Sequence, residues 1–354
     1  MFDLSKYNYN LPKELIAQNP SDPRDSSRLF VYDTEKDEII FDTFINIDKY
    51  LPKSSLLVFN NTKVLPARVI LKKEVEKCGW RGGGKVEILL LINELLDGET
   101  IIKGLPDSRV WIGQKIFFPD GNYMEVVEQD EKFFFFKVHF DMKMLPDLLF
   151  KYGVTPIPKY IGETGMNEDD LREKYQTIFA EKPASVAAPT ASLHFTKRVL
   201  ENIEKRAINS AFITLNVGMG TFAPISEKNF TEGRLHEEYC EIEEDELNKI
   251  RGNKDIVAVG TTALRTIEAF ADDILINNKQ RLSKKTDIFI YPPYNFKIAK
   301  HLITNFHLPG SSLMCLVDAF LQHKGAKKNL VELYEIAKKE KFRFYSFGDA
   351  MIII

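Results

Sequence analysis

The sequence predicts an α/β protein in which a layered α/β domain is interrupted by an inserted small antiparallel β-barrel domain. Three observations predict it. Short β-rich runs crowd between residues 64 and 151, with turn signals separating them. After residue 151, helical and strand patterns alternate, which argues for layers of helices on a sheet. Sequence of a different character lies on both sides of the β-rich stretch, as expected for an insertion. The expected division is therefore residues 1–63 plus 152–354 for the discontinuous α/β domain, and 64–151 for the barrel.

In chain order, the β-rich runs are 86–91 (VEILLL), 99–105 (ETIIKGL), KIFFP, NYMEVVEQ and FFFFKVHF. Asp97-Gly98 and Pro119-Asp120-Gly121-Asn122 mark turns between them. Five or six such strands suit a small barrel or sandwich. Thr196 is placed to cap a helix over 197–206, followed by a strand over 211–217. A helix over 244–251 stops at Gly252, a strand follows over 255–259, and Gly260-Thr261-Thr262 leads into a helix over 263–271. Strands are expected at 287–291 and 301–306, then a helix capped by Ser311 or Ser312.

Open α/β sheets gather ligands beyond the carboxyl ends of their strands. Those ends carry residues 218–221 (GMGT), 260–262 (GTT), 292–294 (PPY) and 307–310 (HLPG), and the four loops are expected to line one cleft. Glycines admit close backbone approach, while threonines and helix N-termini supply donors.

Bulk properties narrow the class. The 354 residues are 44% hydrophobic and 28% charged, enough for a sizeable core. No apolar run is long enough to span a membrane, and the first residues lack the pattern of a secretory signal. Cys78, Cys240 and Cys315 are too dispersed for a disulfide framework or a metal site. A cytoplasmic location, no membrane association and no obligate protein partner are the expectations. The net charge of −3 does not speak for nucleic acid, but its distribution does. Residues 63–85 hold seven Lys/Arg against Glu74 and Glu76, and 324–343 hold seven against three Glu, while 227–246 is acidic. Phosphate recognition needs a local positive field, not a basic total; ordinary solvated faces are the alternative.

Single motifs decide little. Residues 79–85 (GWRGGGK) begin like a phosphate-binding loop, but Val86 occupies the hydroxyl position and a strand follows, so a hairpin loop is the reading. Gly218-Met219-Gly220 is too short for a dinucleotide motif and by itself marks a tight turn. The six histidines show no metal-ligand spacing, so no metal is expected. In residues 187–195 (AAPTASLHF), small side chains permit either tight packing or close approach of a bulky ligand.

Taken together, LVFNNTKVLPAR (57–68), YQTIFAEKPASVAAPTASLHF (175–195), TLNVGMGTFAP (214–224), LHEEY (235–239), VAVGTTALRTIEA (257–269), the run 289–320 and KFRFYSFGDAMII (341–353) resemble the S-adenosylmethionine:tRNA ribosyltransferase-isomerase family. The likeness spans essentially the whole chain in order and is weakest across the β-rich insertion. It implies an α/β domain interrupted by a barrel. It also implies transfer and isomerisation of the ribosyl part of S-adenosylmethionine, used as co-substrate, onto the 7-aminomethyl-7-deazaguanine base at the wobble position of tRNA. Epoxyqueuosine forms, and adenine and methionine leave. Such chemistry needs a base for the proton beside the sulfonium, an acid for adenine, partners for ribose hydroxyls and an anchor for the methionine carboxylate.

Within the family-like segments, His194, His236, Glu238, Glu181 and Asp349 are the candidates for catalysis, with His194, His236 or Glu238 favoured as base or acid. Lys182, Thr190, Gly218, Gly220, Thr221, Thr261, Thr262, Arg265, Asn305 and His307 are the candidates for binding S-adenosylmethionine, Arg265 as an anion clamp. Lys63, Arg68, Lys72 and Lys73, helped by Lys338, Lys339 and Arg343, are expected to contact tRNA phosphates. Three residues depart from the pattern. Ser192 and Pro293 stand where glycine is expected, the first narrowing the pocket and the second stiffening a loop, and Asp318 replaces a small polar residue. Two rival functions remain: a methyltransferase, which would form S-adenosylhomocysteine, and a non-catalytic tRNA-binding module, which would consume no S-adenosylmethionine.

Overall fold

In the computed structural model, residues 4–74, 83–95, 98–158, 160–162, 164–218, 225, 227–276 and 279–354 are described. The N-terminal part forms β1 (Arg28–Asp33), β2 (Glu38–Thr43), β3 (Leu56–Asn60) and β4 (Thr62–Val64). All five residues of β3 are buried, as expected of a strand covered on both faces.

The insertion then forms β5 (Arg68–Lys73), β6 (Gly84–Leu90), β7 (Ile101–Pro106), β8 (Lys115–Phe117), β9 (Tyr123–Asp130) and β10 (Phe133–Val138), followed by α1 (Leu145–Tyr152) and β11 (Gly153–Val154). The order β5-β6-β7-β10-β9-β8 closes by pairing of β8 back onto β5, giving a six-stranded antiparallel barrel. Side chains alternate with period two: Val69 and Leu71, Val86 and Ile88, Met124 and Val126, Phe134 and Phe136 fill the interior, while Ile70 and Lys72 face outward. The expected hairpin at residues 119–122 is present, with the Phe118 N–H donating to Asn122 O (2.8 Å) and Gly121 at φ 93°. Residue 97 of the other expected turn lies outside the described residues.

The remaining elements are α2 (Glu168–Lys174), β12 (Lys182–Ser185), α3 (Lys197–Glu204), β13 (Asn209–Leu215), α4 (Glu227–Glu232), β14 (Arg234–Ile242), α5 (Glu244–Arg251), β15 (Ile256–Val259), α6 (Thr261–Ala269), α7 (Ala271–Ile276), β16 (Leu282–Ile288), β17 (Ala299–Asn305), α8 (Ser312–His323), α9 (Leu330–Lys339) and β18 (Ala350–Ile353). Nine strands form one mixed sheet in the order β16-β14-β13-β3-β15-β17-β18-β1-β2. Its centre, β13-β3-β15-β17, is parallel. Alternate residues feed two cores: Val58, Ala258 and Leu302 on one face, Leu57, Val257 and Ile303 on the other.

Local signals account for several boundaries. The Thr196 and Ser311 hydroxyls cap α3 and α8 by accepting from the Val199 and Met314 N–H groups. Helix α5 spans the residues its pattern predicts, with three acidic residues in its first turn. The strand expected at 287–291 lies earlier, as β16, because pairing with β14 sets its position. The apolar Phe289 and Ile290 are buried in the loop beyond it.

The barrel is tied in at both ends. The Gln176 side chain donates to Val64 O (2.6 Å) and accepts from Val64 N–H (3.1 Å). Arg172 donates to Gly153 O (2.6 Å) and Phe150 O (2.9 Å). Val186, from the α/β part, packs into the barrel core.

Candidate functional site

Parallel strands deliver their carboxyl ends to one side of a sheet, and here β13, β15 and β17 do so around a cleft. Side-chain hydrogen bonds fix each end. Asn60, the last residue of β3, donates to Leu215 O (3.1 Å), and its Oδ1 accepts from Leu215 N–H and Thr62 N–H (both 3.1 Å). Ser185 Oγ accepts from Val217 N–H (2.7 Å). Gly260 adopts φ 88°, a conformation that favours glycine, and turns the chain from β15 into α6. Thr261 and Thr262 then line the cleft at the helix N-terminus, where backbone donors are unpaired within the helix. The buried Thr262 Oγ1 has no partner among the described residues.

The far wall is a relay of polar groups. Thr190 Oγ1 donates to Asn305 Oδ1 (3.1 Å), and Asn305 Nδ2 lies 3.3 Å from both His194 Nε2 and Tyr345 O. With Nε2 accepting, His194 carries its proton on Nδ1, 2.9 Å from Ser27 Oγ. Burial pushes the His194 pKa down to about 4, partly offset by the Asp349 carboxylate. His307 faces the same cleft, with Nε2 2.8 Å from Thr304 Oγ1, and burial lowers its pKa to about 3. Both imidazoles are therefore neutral at pH 7.

A second cleft of about 1340 Å3 lies between the barrel and the α/β part, and Tyr160 borders both clefts. The barrel contributes Arg68, Asn93, Lys103, Lys132 and Phe133; Gly218, His236, Glu237 and Glu238 face them. Glu238 and Arg265, only 4% and 5% exposed, form an ion pair at 2.5 Å, and Glu238 Oε1 also accepts from Gly218 N–H (2.9 Å). Arg265 Nε and Nη2 have no partner among the described residues, so this guanidinium holds donors in reserve.

The predicted residues thus divide. Thr190, Thr261, Thr262, Asn305 and His307 line the first cleft; Gly218, His236 and Glu238 line the second, with Arg265 behind Glu238. His194 lines neither and acts on the first through Asn305. Glu181 is exposed, touching the Asn61 amide (3.3 Å), and Lys182 pairs with Glu243 and Glu241; both stand outside the clefts. Asp349 is buried away from them as well, accepting from Arg343 and from the Arg28 N–H. Gly220 and Thr221 lie outside the described residues.

Of the four expected loops, 260–262 and 307–310 contribute to the first cleft. Gly218 lines the second instead, with 219–221 outside the described residues, and 292–294 lines neither, because its strand is at the sheet edge and Tyr294 packs on Phe296. Ser192 does not narrow the cleft either: it is fully buried behind the lining, its Oγ unpartnered among the described residues. Pro293 is exposed, and Asp318 lies away from both clefts, accepting from Tyr7 and Gln322 (both 2.9 Å).

Among the expected phosphate contacts, Lys72 and Lys339 are exposed. Lys63 sits near the Phe150 ring and Lys73 reaches Arg109 O (3.4 Å). Arg68 pairs with Glu87 (2.5 Å), Lys338 with Glu335 (2.6 Å) and Arg343 with Asp349 (2.9 Å). Sequence reasoning did not single out Asn93, Phe133 and Tyr160, whose place on the cleft walls comes from where the barrel meets the sheet. The only local hint was Asn93, a polar residue within an apolar run.

Cys240 and Cys315 are buried thiols pushed up to about 12 by burial; Cys78 lies outside the described residues. Among the described residues, no group of three or more His, Cys, Asp or Glu is placed to hold a metal ion. None of their helices is long and apolar enough to cross a membrane.

Residues 4–353 match the sequence family described as Queuosine biosynthesis protein. The chain is 43% identical over 359 residues to the S-adenosylmethionine:tRNA ribosyltransferase-isomerase of Sulfurihydrogenibium sp. strain YO3AOP1, covering 99% of each. It is 42% identical over 362 residues to that of Thermoanaerobacter sp. strain X514, again covering 99% of each. Its fold is similar to the crystal structure of the S-adenosylmethionine tRNA ribosyltransferase from Thermotoga maritima, with a TM-score of 0.53 and 31% identity over 99% of this chain and 100% of that one.

Proposed function

The chain belongs to the queuosine biosynthesis family, and from that premise we propose the reaction it carries out as an S-adenosylmethionine:tRNA ribosyltransferase-isomerase. It transfers and isomerises the ribosyl part of S-adenosylmethionine onto 7-aminomethyl-7-deazaguanine at the tRNA wobble position. The products are epoxyqueuosine in tRNA, adenine and methionine. The observation that carries this reading is the pair of adjoining clefts sharing Tyr160 as a wall, one at the strand ends of the sheet and one between the sheet and the barrel. A small co-substrate and a base presented by a macromolecule need such adjoining sites.

S-adenosylmethionine occupies the first cleft. Thr190 and Asn305 offer partners for ribose hydroxyls, and the N-terminus of α6 with Thr261 and Thr262 offers donors to an anionic carboxylate. His194 holds the Asn305 amide in place. His307, neutral at pH 7, receives hydrogen bonds without adding a charge that would repel the sulfonium.

The acceptor amine enters from the second cleft, where His236 and Glu238 are the bases within reach. A base removes the proton on C5′ beside the sulfonium; the C4′–O bond then breaks, and the freed oxygen becomes a C1′ carbonyl as adenine leaves with a proton. The amine, losing a proton, bonds to C4′, the C5′ carbanion bonds to C1′, and the resulting alkoxide displaces methionine from C5′ to close the epoxide. Arg265 and the Gly218 N–H hold the two oxygens of the Glu238 carboxylate in a fixed position at the cleft wall. In this division of labour, residues 1–63 and 152–354 carry the donor and 64–151 approaches the RNA, with Lys72 among its phosphate contacts. The same reading puts the enzyme with tRNA in the cytoplasm.

The test is product analysis with S-adenosylmethionine and tRNA bearing the aminomethyl-deazaguanine base. Adenine and methionine release with a matching mass gain on the base is the expected result. Formation of S-adenosylhomocysteine, or intact S-adenosylmethionine, would overturn it.

A further inference from the structure

We propose that the barrel reads the acceptor base directly, with Phe133 as its stacking face and the Asn93 carboxamide as its hydrogen-bonding edge contact. The proposal rests on the reading above, in which a tRNA base enters the second cleft, and it names the residues that select that base.

Phe133 opens β10 on the barrel and is half-buried on the cleft wall. Two ammonium groups sit by its ring, Lys103 at 4.4 Å and Lys132 at 5.3 Å from the centroid. Lys103 is anchored by Glu94 (3.0 Å), whereas Lys132 is exposed on the turn before β10. A planar base stacking on Phe133 displaces the exposed lysine from the ring, and its ammonium then meets the phosphate next to the extruded nucleotide. An aromatic face bordered by cations is how proteins hold an unstacked base with its backbone.

Asn93 supplies the second, independent observation. It lies in the short turn after β6, is 2% exposed and borders the same cleft. Its Oδ1 is buried without a hydrogen-bond partner among the described residues. A buried amide oxygen left unpaired is costly, and a ligand donor relieves that cost. The side chain is pressed against the loop after β13: a Cβ on Gly218 would lie 2.5 Å from Asn93 Nδ2. Gly218 in turn donates to Glu238, so the barrel amide and the candidate base are separated by one residue's backbone. A guanine-type base presents N–H donors along its Watson–Crick edge, and Asn93 Oδ1 is an acceptor for one of them. An adenine-type edge lacks the ring N–H, and a site built to receive a donor discriminates strongly against its loss.

The experiment uses the full-length enzyme and an anticodon stem–loop carrying at the wobble position 6-methylisoxanthopterin, a fluorescent guanine analogue that keeps the ring N–H and whose emission is quenched on stacking. Wild type is expected to quench the probe, Phe133→Ala to bind without quenching, and Phe133→Trp to restore it. In turnover assays, Phe133→Ala and Phe133→Leu should raise KM for tRNA by roughly 5- to 140-fold, the range for losing one stacked base, with KM for S-adenosylmethionine unchanged. Asn93→Ala should raise KM for tRNA in the same direction. Thermal melts of each variant establish that it is folded, and Phe133→Leu keeps the apolar volume if Phe133→Ala does not fold. Unchanged quenching and unchanged KM for tRNA in folded Phe133 variants would overturn the proposal, as would equal changes in both KM values. Wild-type quenching that disappears in Phe133→Ala, without adenine release by wild type, would support the platform while refuting the reaction assigned above.

Discussion

Lowering the pH from 7 to 5 should destabilise the protein through two histidines that carry no charge when folded. The pKa of His194 falls from 6.5 to about 4 and that of His307 from 6.5 to about 3, burial being the leading cause for each. A depressed folded pKa means the stabilisation is complete above the unfolded value of 6.5. It is lost as pH falls towards about 4 for His194 and about 3 for His307. Between pH 7 and 5 the unfolded chain takes up protons that the folded one refuses, which amounts to ~2 kcal/mol per histidine by linkage. The measurement is urea unfolding at pH 7, 6 and 5 for wild type, His194→Gln and His307→Gln. Each variant should start less stable at pH 7 but lose ~2 kcal/mol less than wild type on acidification. Identical pH slopes in all three proteins would refute the assignment of neutral, buried imidazoles.

Three further outcomes follow from geometry. Glu238→Ala should cost about 3–5 kcal/mol and abolish turnover, because it leaves the Arg265 guanidinium buried and uncompensated. In urea titrations the double variant with Arg265→Met should recover much of that stability but not activity, and an equally unstable double variant would contradict the ion-pair account. Gly153→Ala would put a Cβ 1.8 Å from Pro66 O and 2.6 Å from Leu149 O, backbone atoms that cannot swing away. A loss above about 2 kcal/mol, with faster proteolysis at the barrel junction, is expected; a wild-type denaturation midpoint would count against it. Lys72→Glu, on the exposed side of β5, should weaken tRNA binding and flatten the plot of log affinity against log salt by about one phosphate contact or more. An unchanged slope would remove Lys72 from the RNA surface.

Much of the fold could be read locally, and the exceptions share a cause. Helix α5 was legible because its acidic first turn and terminal Gly252 are both within its own sequence. Barrel strands β6 to β10 were legible because their alternation is set by one buried face, whereas β5 was not among the expected runs. Strand β16 was misplaced because Phe289 and Ile290 are more apolar than the polar edge strand, yet they serve the core from a loop. Pairing with β14, far away in sequence, fixes that boundary. The site divides in the same way. Thr261, Thr262, Asn305 and His307 could be found because strand ends in an α/β sheet predict them. Asn93 and Phe133 could not, since nothing in their neighbourhoods records that the barrel will face Glu238 across a cleft. Asp349 and Arg343 look functional as charged residues in a family-like segment, but they bind each other.

The pairing of β11 with β5 also bears on how such a chain assembles. Val69 faces Gly153 and Arg68 faces Val154, so the barrel's entry and exit are neighbours on one ladder. Once the barrel has closed, the long excursion between β4 and β12 behaves as a short link. The entropy of bringing β3 beside β13 is then that of a much smaller loop. A barrel that forms early would thereby hasten a sheet to which it contributes no strand.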